Sequence, residues 1–345
     1  MDKEKNRILS SQSTLSLISE VRNKNKDKIN YIGSLSFEDR DLVGIKCILN
    51  TEWISSILKH KRIYFNVFYL IDTCTCRKKV IEHKKNITKF LENRDIKSYY
   101  FIECDFHNPR EVLDKLLEID GELVVRYTYL DMSTLTRNLG SYLMKAFQYT
   151  SGEIIYFEPM EYGKNLSQGL EKKDYFPDLG RNHDPSKEDV LIMFTGHELE
   201  RAHLLAEDVD PDEVILMVPR GDDTDNHAKW NGHARKVGEE LACKLPLRKD
   251  SIEIRYTPSH GYQTILCDLG KIITDFPQEK YNISFASMGT KISNLALNTA
   301  TSTIEGLCVY DAVPENYNVE DYSKGVRIKN PYSFPLRIDD RIKTY

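Results

Sequence analysis

Two short stretches of this chain carry hydroxyl, glycine and cationic residues at a spacing that suits the binding of an anion. The first covers residues 131–137 (DMSTLTR) and the second covers residues 286–291 (ASMGTK). Each follows an apolar, strand-like run and precedes a helix-like run, so each is expected between a strand and a helix N-terminus. Backbone N–H groups and the positive end of the helix dipole favour a phosphate at such a place.

The side chains of these stretches fit phosphate binding. Gly289 lets a backbone approach a ligand closely, hydroxyl groups can donate to phosphate oxygens, and Arg137 and Lys291 supply positive charge. The candidate ligand-binding residues are Asp131, Ser133, Thr134 and Arg137 in the first stretch, and Ser287, Gly289, Thr290 and Lys291 in the second. The alternative is that Ser133, Thr134 and Thr290 are ordinary helix N-caps.

Two Glu/Arg pairs lie in the turn after the first strand of each half. Arg40 with Glu38, and Arg201 with Glu200, could grip a phosphate or a base while the carboxylate holds the guanidinium. The alternative is a structural salt bridge that ties the first helix to its neighbours. The sequence leaves both roles open.

The two halves of the chain carry matching segments. Residues 28–40 match residues 189–201, the stretch at 131–137 matches the one at 286–291, and an apolar run follows each. Within these segments, Ile32 and Leu191, Thr134 and Thr290, and Ile154 and Cys308 are separated by 159, 156 and 154 residues, which indicates a tandem duplication. Two half-sites in one chain can face one ligand across a pseudo-twofold axis.

Short apolar runs rich in Tyr, Ile, Val and Phe alternate with helical patterns, as in a parallel sheet that is buried on both faces. The strands predicted in the first half are 29–34, 64–71, 98–104, 124–130 and 153–158, and the helices are 39–59, 77–93, 109–118 and 134–149. The strands predicted in the second half are 189–195, 213–218, 251–256, 282–287 and 306–311, and the helices are 198–207, 227–244, 260–275 and 291–302.

This alternation predicts an α/β fold with two tandem Rossmann-like, doubly wound parallel-sheet domains related by internal duplication. The predicted boundaries are a flexible N-terminal arm at 1–27, a first domain at 28–160, a linker at 161–188, and a second domain with the C-terminal tail at 189–345. The tail is expected to cover a sheet edge. Ligands of such sheets bind outside the carboxyl ends of the strands.

Bulk composition excludes several classes of protein. Of the 345 residues, 40% are hydrophobic and 29% are charged, as in a globular protein with room for two cores. The formal net charge of −5 argues against binding long nucleic acid, which needs a basic surface. The sequence lacks the run of about 18 apolar residues that a membrane span requires. Seven scattered cysteines are typical of reduced thiols in the cytoplasm.

Common cofactor and metal motifs do not occur in the sequence. No G-x-G-x-x-G follows the first strand, and the GTK at 289–291 lacks the residue order of a Walker A loop. His197 opens a zincin-like stretch, but Arg201 stands where the second histidine is required and His203 lies on another side of the helix. We therefore expect neither a cofactor nor a metal ion.

The second stretch resembles the CRISPR-associated Rossmann-fold (CARF) superfamily and its tandem relative, the SAVED domain. Those domains bind cyclic oligonucleotides with a strand, a G-T-K or Ser/Thr-rich turn, and a helix. Residues 288–295 (MGTKISNL) match that turn best, and residues 131–137 are a weaker copy. The resemblance extends over most of 28–313 and implies a role in prokaryotic antiviral signalling. Family members usually carry an effector module, which is not found here, so either the effector is a separate protein or this chain degrades or sequesters its ligand.

Three functions agree with these observations. The first is a cytoplasmic sensor that binds a cyclic oligonucleotide or related nucleotide second messenger between two lobes and controls a separate effector or complex subunit. The second is a metal-independent phosphodiesterase of the ring-nuclease type, whose catalytic candidates are Lys291, Thr290, Ser287 and Ser133. The third is a scaffold subunit without a small ligand. In the first two, Tyr256, Tyr262 and Tyr310 could stack on a base.

Overall fold

A computed structural model of the chain describes residues 28–51, 54, 64–72, 77–163, 166–170, 172–175, 183–220, 228–304, 306–319, 322–328 and 331–343. The chain folds into two compact units. The described part of the first unit runs to Tyr162 and resumes at Ser323–Lys343, and the second unit is Gly163–Tyr322. The predicted arm at 1–27 lies outside the described residues.

The first unit contains a parallel sheet flanked by helices. Its elements up to Tyr162 are β1 (Lys28–Leu35), α1 (Val43–Leu49), β2 (Tyr64–Asp72), α2 (Arg77–Glu92), β3 (Ser98–Cys104), α3 (Pro109–Ile119), β4 (Tyr127–Asp131), α4 (Arg137–Ala146), β5 (Gly152–Tyr156) and β6 (Glu161–Tyr162). The strands pair in the order β3–β2–β1–β4–β5, and every pairing in this series is parallel. The order reverses between β1 and β4, so the carboxyl ends of these two strands frame a crevice.

The second unit has a sheet of the same order. Its elements are β7 (Ser167–Gln168), β8 (Lys172–Tyr175), β9 (Glu188–Phe194), α5 (Leu199–Val209), β10 (Glu213–Pro219), α6 (Ala228–Lys244), β11 (Ile252–Thr257), α7 (Tyr262–Asp275), β12 (Tyr281–Ser287), α8 (Lys291–Thr303), β13 (Cys308–Val313) and β14 (Asn316–Tyr317). The parallel order is β11–β10–β9–β12–β13, and β8 adds an antiparallel strand beside β13. Here the crevice lies between β9 and β12.

The C-terminal segment completes the first unit. Strand β15 (Ser323–Lys324) pairs with β6, strand β16 (Tyr332–Pro335) runs antiparallel to β5, and helix α9 (Ile338–Lys343) follows. Leu336 and Ile338 are buried against this unit. The tail thus forms a sheet edge in the first unit, whereas the sequence-based boundaries grouped it with the second domain. The partners β5 and β16 are far apart in sequence, so no local pattern specifies their pairing.

The core of each unit explains why these residues form strands. In the first unit Ile29, Tyr31, Val67 and Tyr69 alternate along neighbouring strands and are fully buried. The predicted strands and helices are present in the described parts, apart from a few residues at their ends. The predicted linker at 161–188 is wrong in part, because it contains β6, β7 and β8, and the elements after residue 313 were not predicted. The helix predicted at 39–59 is seen as α1, and much of its second half lies outside the described residues. Among the helices that the structure describes, none is long and apolar enough to cross a bilayer.

Candidate functional site

Thr290 is the N-cap of α8 in the second unit. Its oxygen accepts a hydrogen bond from the backbone N–H of Ser293 at 3.2 Å, and its hydroxyl donates to the carbonyl oxygen of Ser259 at 2.7 Å. The Ser293 hydroxyl in turn donates to the Thr290 carbonyl at 2.7 Å. Because a hydroxyl has one hydrogen to donate, Thr290 shapes the start of α8 and has no further proton for a ligand.

Ser287 ends β12 just before this helix start. Side chains alternate along a strand, and its neighbours Ala286 and Met288 pack in the core cluster that includes Leu205 of α5. Ser287 therefore faces the other side of the sheet. Its hydroxyl is buried, with 2% of the residue exposed, and has no hydrogen-bond partner in the described part of the chain. Such a group destabilises a fold by about 1–3 kcal/mol, so Ser287 is a candidate ligand contact.

Gly289 and Lys291 flank the Thr290 cap. A Cβ on Gly289 would lie 2.7 Å from Ser293 Oγ and 3.3 Å from Phe194 Cβ, so glycine lets the turn pack closely against α8. Lys291 is the first helical residue, and its side chain is half-buried. Its ammonium adds a full charge to the partial positive charge of the helix N-terminus.

The turn after β9 lies against the turn after β12. A Cβ on Gly196 would collide with the carbonyl oxygen of Met288, so only glycine permits this approach. The backbone N–H of Met288 also donates to the carbonyl of Phe194 at 3.0 Å. The two turns at the crevice of the second sheet therefore form one continuous surface.

Arg201 forms its ion pair with Glu198, which corrects the predicted pairing with Glu200. The Arg201 and Glu198 side chains are 6% and 14% exposed, and Ser167 donates its hydroxyl to the same carboxylate. Residues at i and i+3 share a helix face, whereas adjacent residues point apart. Glu200 is accordingly exposed in the first turn of α5. The Nε of Arg201 is buried without a hydrogen-bond partner among the described residues.

In the first unit, Asp131 is bound inside the protein. Tyr31 donates its hydroxyl to Asp131 Oδ2 at 2.7 Å, and the backbone N–H of Ser133 donates to Oδ1 at 2.9 Å. Gly44 of α1 packs on this carboxylate, since a Cβ there would collide with Oδ2. Burial raises the pKa of Asp131, although these hydrogen bonds act in the opposite direction.

Ser133 and Thr134 also bond within the first unit. The backbone N–H of Phe157 donates to Ser133 Oγ at 3.0 Å. The Thr134 hydroxyl lies 2.8 Å from the hydroxyl of Ser34 and donates to its carbonyl at 3.0 Å. These contacts join the turn after β4 to the ends of β1 and β5.

The N-cap of α4 is Thr136, two residues beyond Thr134 and three beyond Ser133, which were considered for that role. The Thr136 hydroxyl accepts from the backbone N–H of Leu139 at 3.3 Å. Arg137 is the first helical residue of α4, which is the position that Lys291 occupies in α8. Among the predicted residues of the first stretch, Arg137 therefore has the placement best suited to an anion.

Arg40 and Glu38 form a buried ion pair, with Nη2 and Oε2 2.5 Å apart. Arg40 Nη1 donates to the carbonyl of Phe157 at 2.8 Å, and Ser323 donates its hydroxyl to the same Glu38 oxygen at 2.5 Å. Only 1% of Arg40 is exposed. These contacts match the structural alternative, since the guanidinium ties the turn after β1 to the chain after β5.

A second ion pair, between the half-buried His83 and the buried Asp41, fixes the same turn. His83 Nδ1 on α2 lies 2.9 Å from Asp41 Oδ2, which also accepts the backbone N–H of Ser36 at 2.7 Å. The hydrogen bond to Asp41 raises the pKa of His83, and burial raises the pKa of Asp41. The polar groups of this turn therefore serve mainly to hold the first unit together.

Sequence reasoning did not identify several residues that meet at the second crevice. The ring of His197, directly after Gly196, contacts the rings of Trp230 and His233 at the start of α6. Ser259 Oγ lies 2.6 Å from His260 Nδ1, on the loop whose carbonyl accepts from the N-cap of α8. The only available signals were the glycine before His197 and the i, i+3 spacing of the α6 rings.

The tyrosines predicted to stack on a base have other contacts. Tyr262 is buried and donates its hydroxyl to Thr299 at 3.0 Å, and Tyr310 is buried in the core. Tyr256 is partly exposed, but the guanidinium of Arg235 lies over its ring at 4.9 Å. Aromatic groups near the crevice are instead supplied by the α6 start.

The second crevice carries hydroxyl, cationic and aromatic groups rather than a cluster of metal ligands. Within the described ranges, no group of three or more His, Cys, Asp or Glu side chains is placed to hold a metal ion. The residues that this crevice brings together are Ser287, Gly289, Thr290, Lys291, Ser259 and His260 on one side, and His197, Glu198, Arg201, Trp230 and His233 on the other. No protein-family model matches the chain, and no curated protein matches it with significant sequence similarity.

Proposed function

We propose that this chain binds a nucleotide signal such as a cyclic oligonucleotide, with a phosphate held at the N-terminus of α8. The observation that carries the proposal is the buried Ser287 hydroxyl without a described partner, directly before a helix start that bears Lys291. A phosphate oxygen supplies the acceptor that Ser287 lacks. Its negative charge suits the ammonium and the helix dipole.

The first unit has a smaller part in this proposal. Asp131, Ser133 and Arg40 are held by internal hydrogen bonds, which makes them supports for the turns. Arg137, at the start of α4, is the candidate there for a second phosphate contact. The principal site is therefore assigned to the second unit.

The two units are proposed to descend from one duplicated Rossmann-like domain. In support, each sheet has the parallel order 3-2-1-4-5 when its strands are numbered within the unit, with an antiparallel strand beside the fifth. The resemblance to CARF and SAVED domains belongs to the same proposal, and residues 288–291 stand between a strand and a helix as that resemblance requires. The bound signal then acts in antiviral defence through a separate effector.

Isothermal titration calorimetry with cyclic oligoadenylates and cyclic dinucleotides tests this proposal. At least one ligand should bind with measurable heat, and the affinity should fall when Ser287 or Lys291 is replaced by alanine. Absence of heat with every member of the panel, together with an unchanged melting temperature, contradicts it.

A metal-independent phosphodiesterase is the second candidate function, and the Ser259–His260 pair favours it. His260 lies beside the capped start of α8, where the phosphate is proposed to bind. In this reaction a ribose 2′-hydroxyl attacks phosphorus, its proton passes to His260, and the 5′-oxygen leaves with a proton from Lys291. Chromatography after incubation with cyclic tetra-adenylate should then show products ending in a 2′,3′-cyclic phosphate. Unchanged ligand leaves the protein as a sensor.

A further inference from the structure

Three rings form a compact group at the crevice of the second unit. The imidazole of His197 contacts the indole of Trp230, with ring centroids 5.1 Å apart, and the imidazole of His233, with centroids 4.9 Å apart. Both contacts are edge-to-face, at 61° and 72°. Trp230 and His233 are three residues apart on α6, so they share one face of that helix.

The imidazole of His197 is held by a hydrogen bond as well as by its ring contacts. Burial, and next the neighbouring His233, lower the pKa of His197 to about 4, so its imidazole is neutral at physiological pH. A hydrogen bond with the backbone of Trp230 offsets the cost of removing this polar ring from water. One ring nitrogen of His197 is therefore engaged within the protein, and its imidazole positions the indole of Trp230 and the imidazole of His233.

The group adjoins the proposed phosphate site. His197 follows Gly196, whose close approach to the Met288 carbonyl joins the turn after β9 to the turn that leads into α8. Trp230 is half-buried and His233 is exposed, so solvent reaches the rings on the α6 side. A mononucleotide contains a charged phosphate and a flat base, and this surface offers a cationic helix start and a set of rings.

We propose that His197, Trp230 and His233 form a nucleobase-binding site that acts together with the phosphate site at Lys291. The inference rests on the proposed function and adds the part of the ligand that this function leaves unassigned. The base stacks on the indole or on the His233 imidazole, and His197 orients those two rings. Stacking on an aromatic side chain changes affinity by about tenfold or more.

The fluorescence of Trp230 reports on this site directly. The chain has two tryptophans, and a Trp53→Phe background leaves Trp230 as the only one. The probes are adenosine 5′-monophosphate and its guanosine, cytidine and uridine counterparts, with ribose 5-phosphate as the ligand without a base. At least one nucleotide should change the emission saturably, whereas ribose 5-phosphate should leave it unchanged.

Calorimetry with the same probes separates the base site from the phosphate site. Trp230→Leu and His233→Ala should each weaken the nucleotide about tenfold or more while leaving ribose 5-phosphate unaffected, and Trp230→Phe should retain most of the affinity because it keeps a ring. Because His233 is exposed, His233→Ala should fold normally, and it tests the base site even if a tryptophan variant misfolds.

The outcomes distinguish this inference from the proposed function. Suppose that nucleotides and ribose 5-phosphate bind with equal affinity, that Lys291→Ala lowers this affinity, and that neither ring variant changes it. The base site is then refuted while the phosphate site stands. If a nucleoside without phosphate binds and is lost in Trp230→Leu, but Lys291→Ala has no effect on any probe, the base site stands and the phosphate site fails. Lack of binding by every probe overturns both.

Discussion

The hydroxyl of Thr290 links two segments of the second unit, because it donates to the Ser259 carbonyl at 2.7 Å while its oxygen caps the Ser293 N–H at 3.2 Å. Thr290→Val keeps the shape but removes both bonds. We expect it to lower the free energy of unfolding by about 1–2 kcal/mol, as for the loss of a helix N-cap. Thr290→Ser keeps the hydroxyl and should remain within about 0.5 kcal/mol of the parent. Urea denaturation followed by circular dichroism measures both, and equal losses in the two variants would contradict this role.

Ser287→Ala should separate stability from ligand binding. Removing a buried hydroxyl that has no described partner relieves a desolvation penalty, so the variant should be as stable as the parent or more stable by about 1 kcal/mol. The same change should weaken binding of a cyclic oligonucleotide. Thermal unfolding measures the stability and calorimetry measures the affinity, both on one preparation. A clear loss of stability would show that the hydroxyl has a hydrogen-bond partner inside the protein.

Lys291→Ala should weaken nucleotide binding about tenfold or more, because it removes a charge-assisted contact at a helix start. Lys271→Ala is the matched control, since that lysine is on α7 of the same unit, is 72% exposed and pairs only with Asp268 among described carboxylates. Arg137→Ala tests the corresponding position in the first unit. If only Lys291→Ala lowers the affinity, the phosphate contact is confined to the second unit. If Lys271→Ala lowers the affinity equally, the effect comes from the overall charge of the protein and not from a contact at Lys291.

Two glycines give opposite expectations. Gly196→Ala forces a Cβ against the Met288 carbonyl, so it should displace the turn, destabilise the second unit by more than about 2 kcal/mol and abolish ligand binding. At Gly232, inside α6, no described atom lies within 4 Å of the place that a Cβ would take. Gly232→Ala should therefore stabilise the unit by about 0.5–1 kcal/mol through helix propensity. Similar melting temperatures for the two variants would rule out the close approach of the turns.

His197 should make the protein less stable in acid. Its pKa is about 4 in the folded chain, below the ordinary histidine value of 6.5. The unfolded chain therefore binds more protons between these two values, and the free energy of unfolding falls as the pH decreases through that window. The decrease is at most about 1.4 kcal/mol for each pH unit. His197→Phe should flatten this part of the profile relative to the parent in urea titrations, and an unchanged slope would show that His197 titrates normally.

The order of strands and helices could be predicted from the sequence, because parallel strands buried on both faces require short apolar runs separated by amphipathic helices. The position of the stretch at 286–291 between a strand and a helix followed from the same pattern, and so did the first-turn placement of Lys291. The residues that form the helix N-caps were harder to predict from the sequence. Thr136 rather than Thr134 is the N-cap of α4, and the Thr134 hydroxyl instead lies 2.8 Å from the hydroxyl of Ser34, 100 residues earlier.

The sequence by itself determined the alternation of elements and the local chemistry of each turn, since both depend on residues that are near neighbours in the chain. The tertiary structure decided which polar groups have internal partners. Asp131 is bound by Tyr31, 100 residues earlier, and the last strand of the first sheet comes from the C-terminal segment. Pairings between distant segments depend on how whole strands and helices pack, and no local pattern specifies them. For the same reason, only the folded chain brings His197, Trp230 and His233 together.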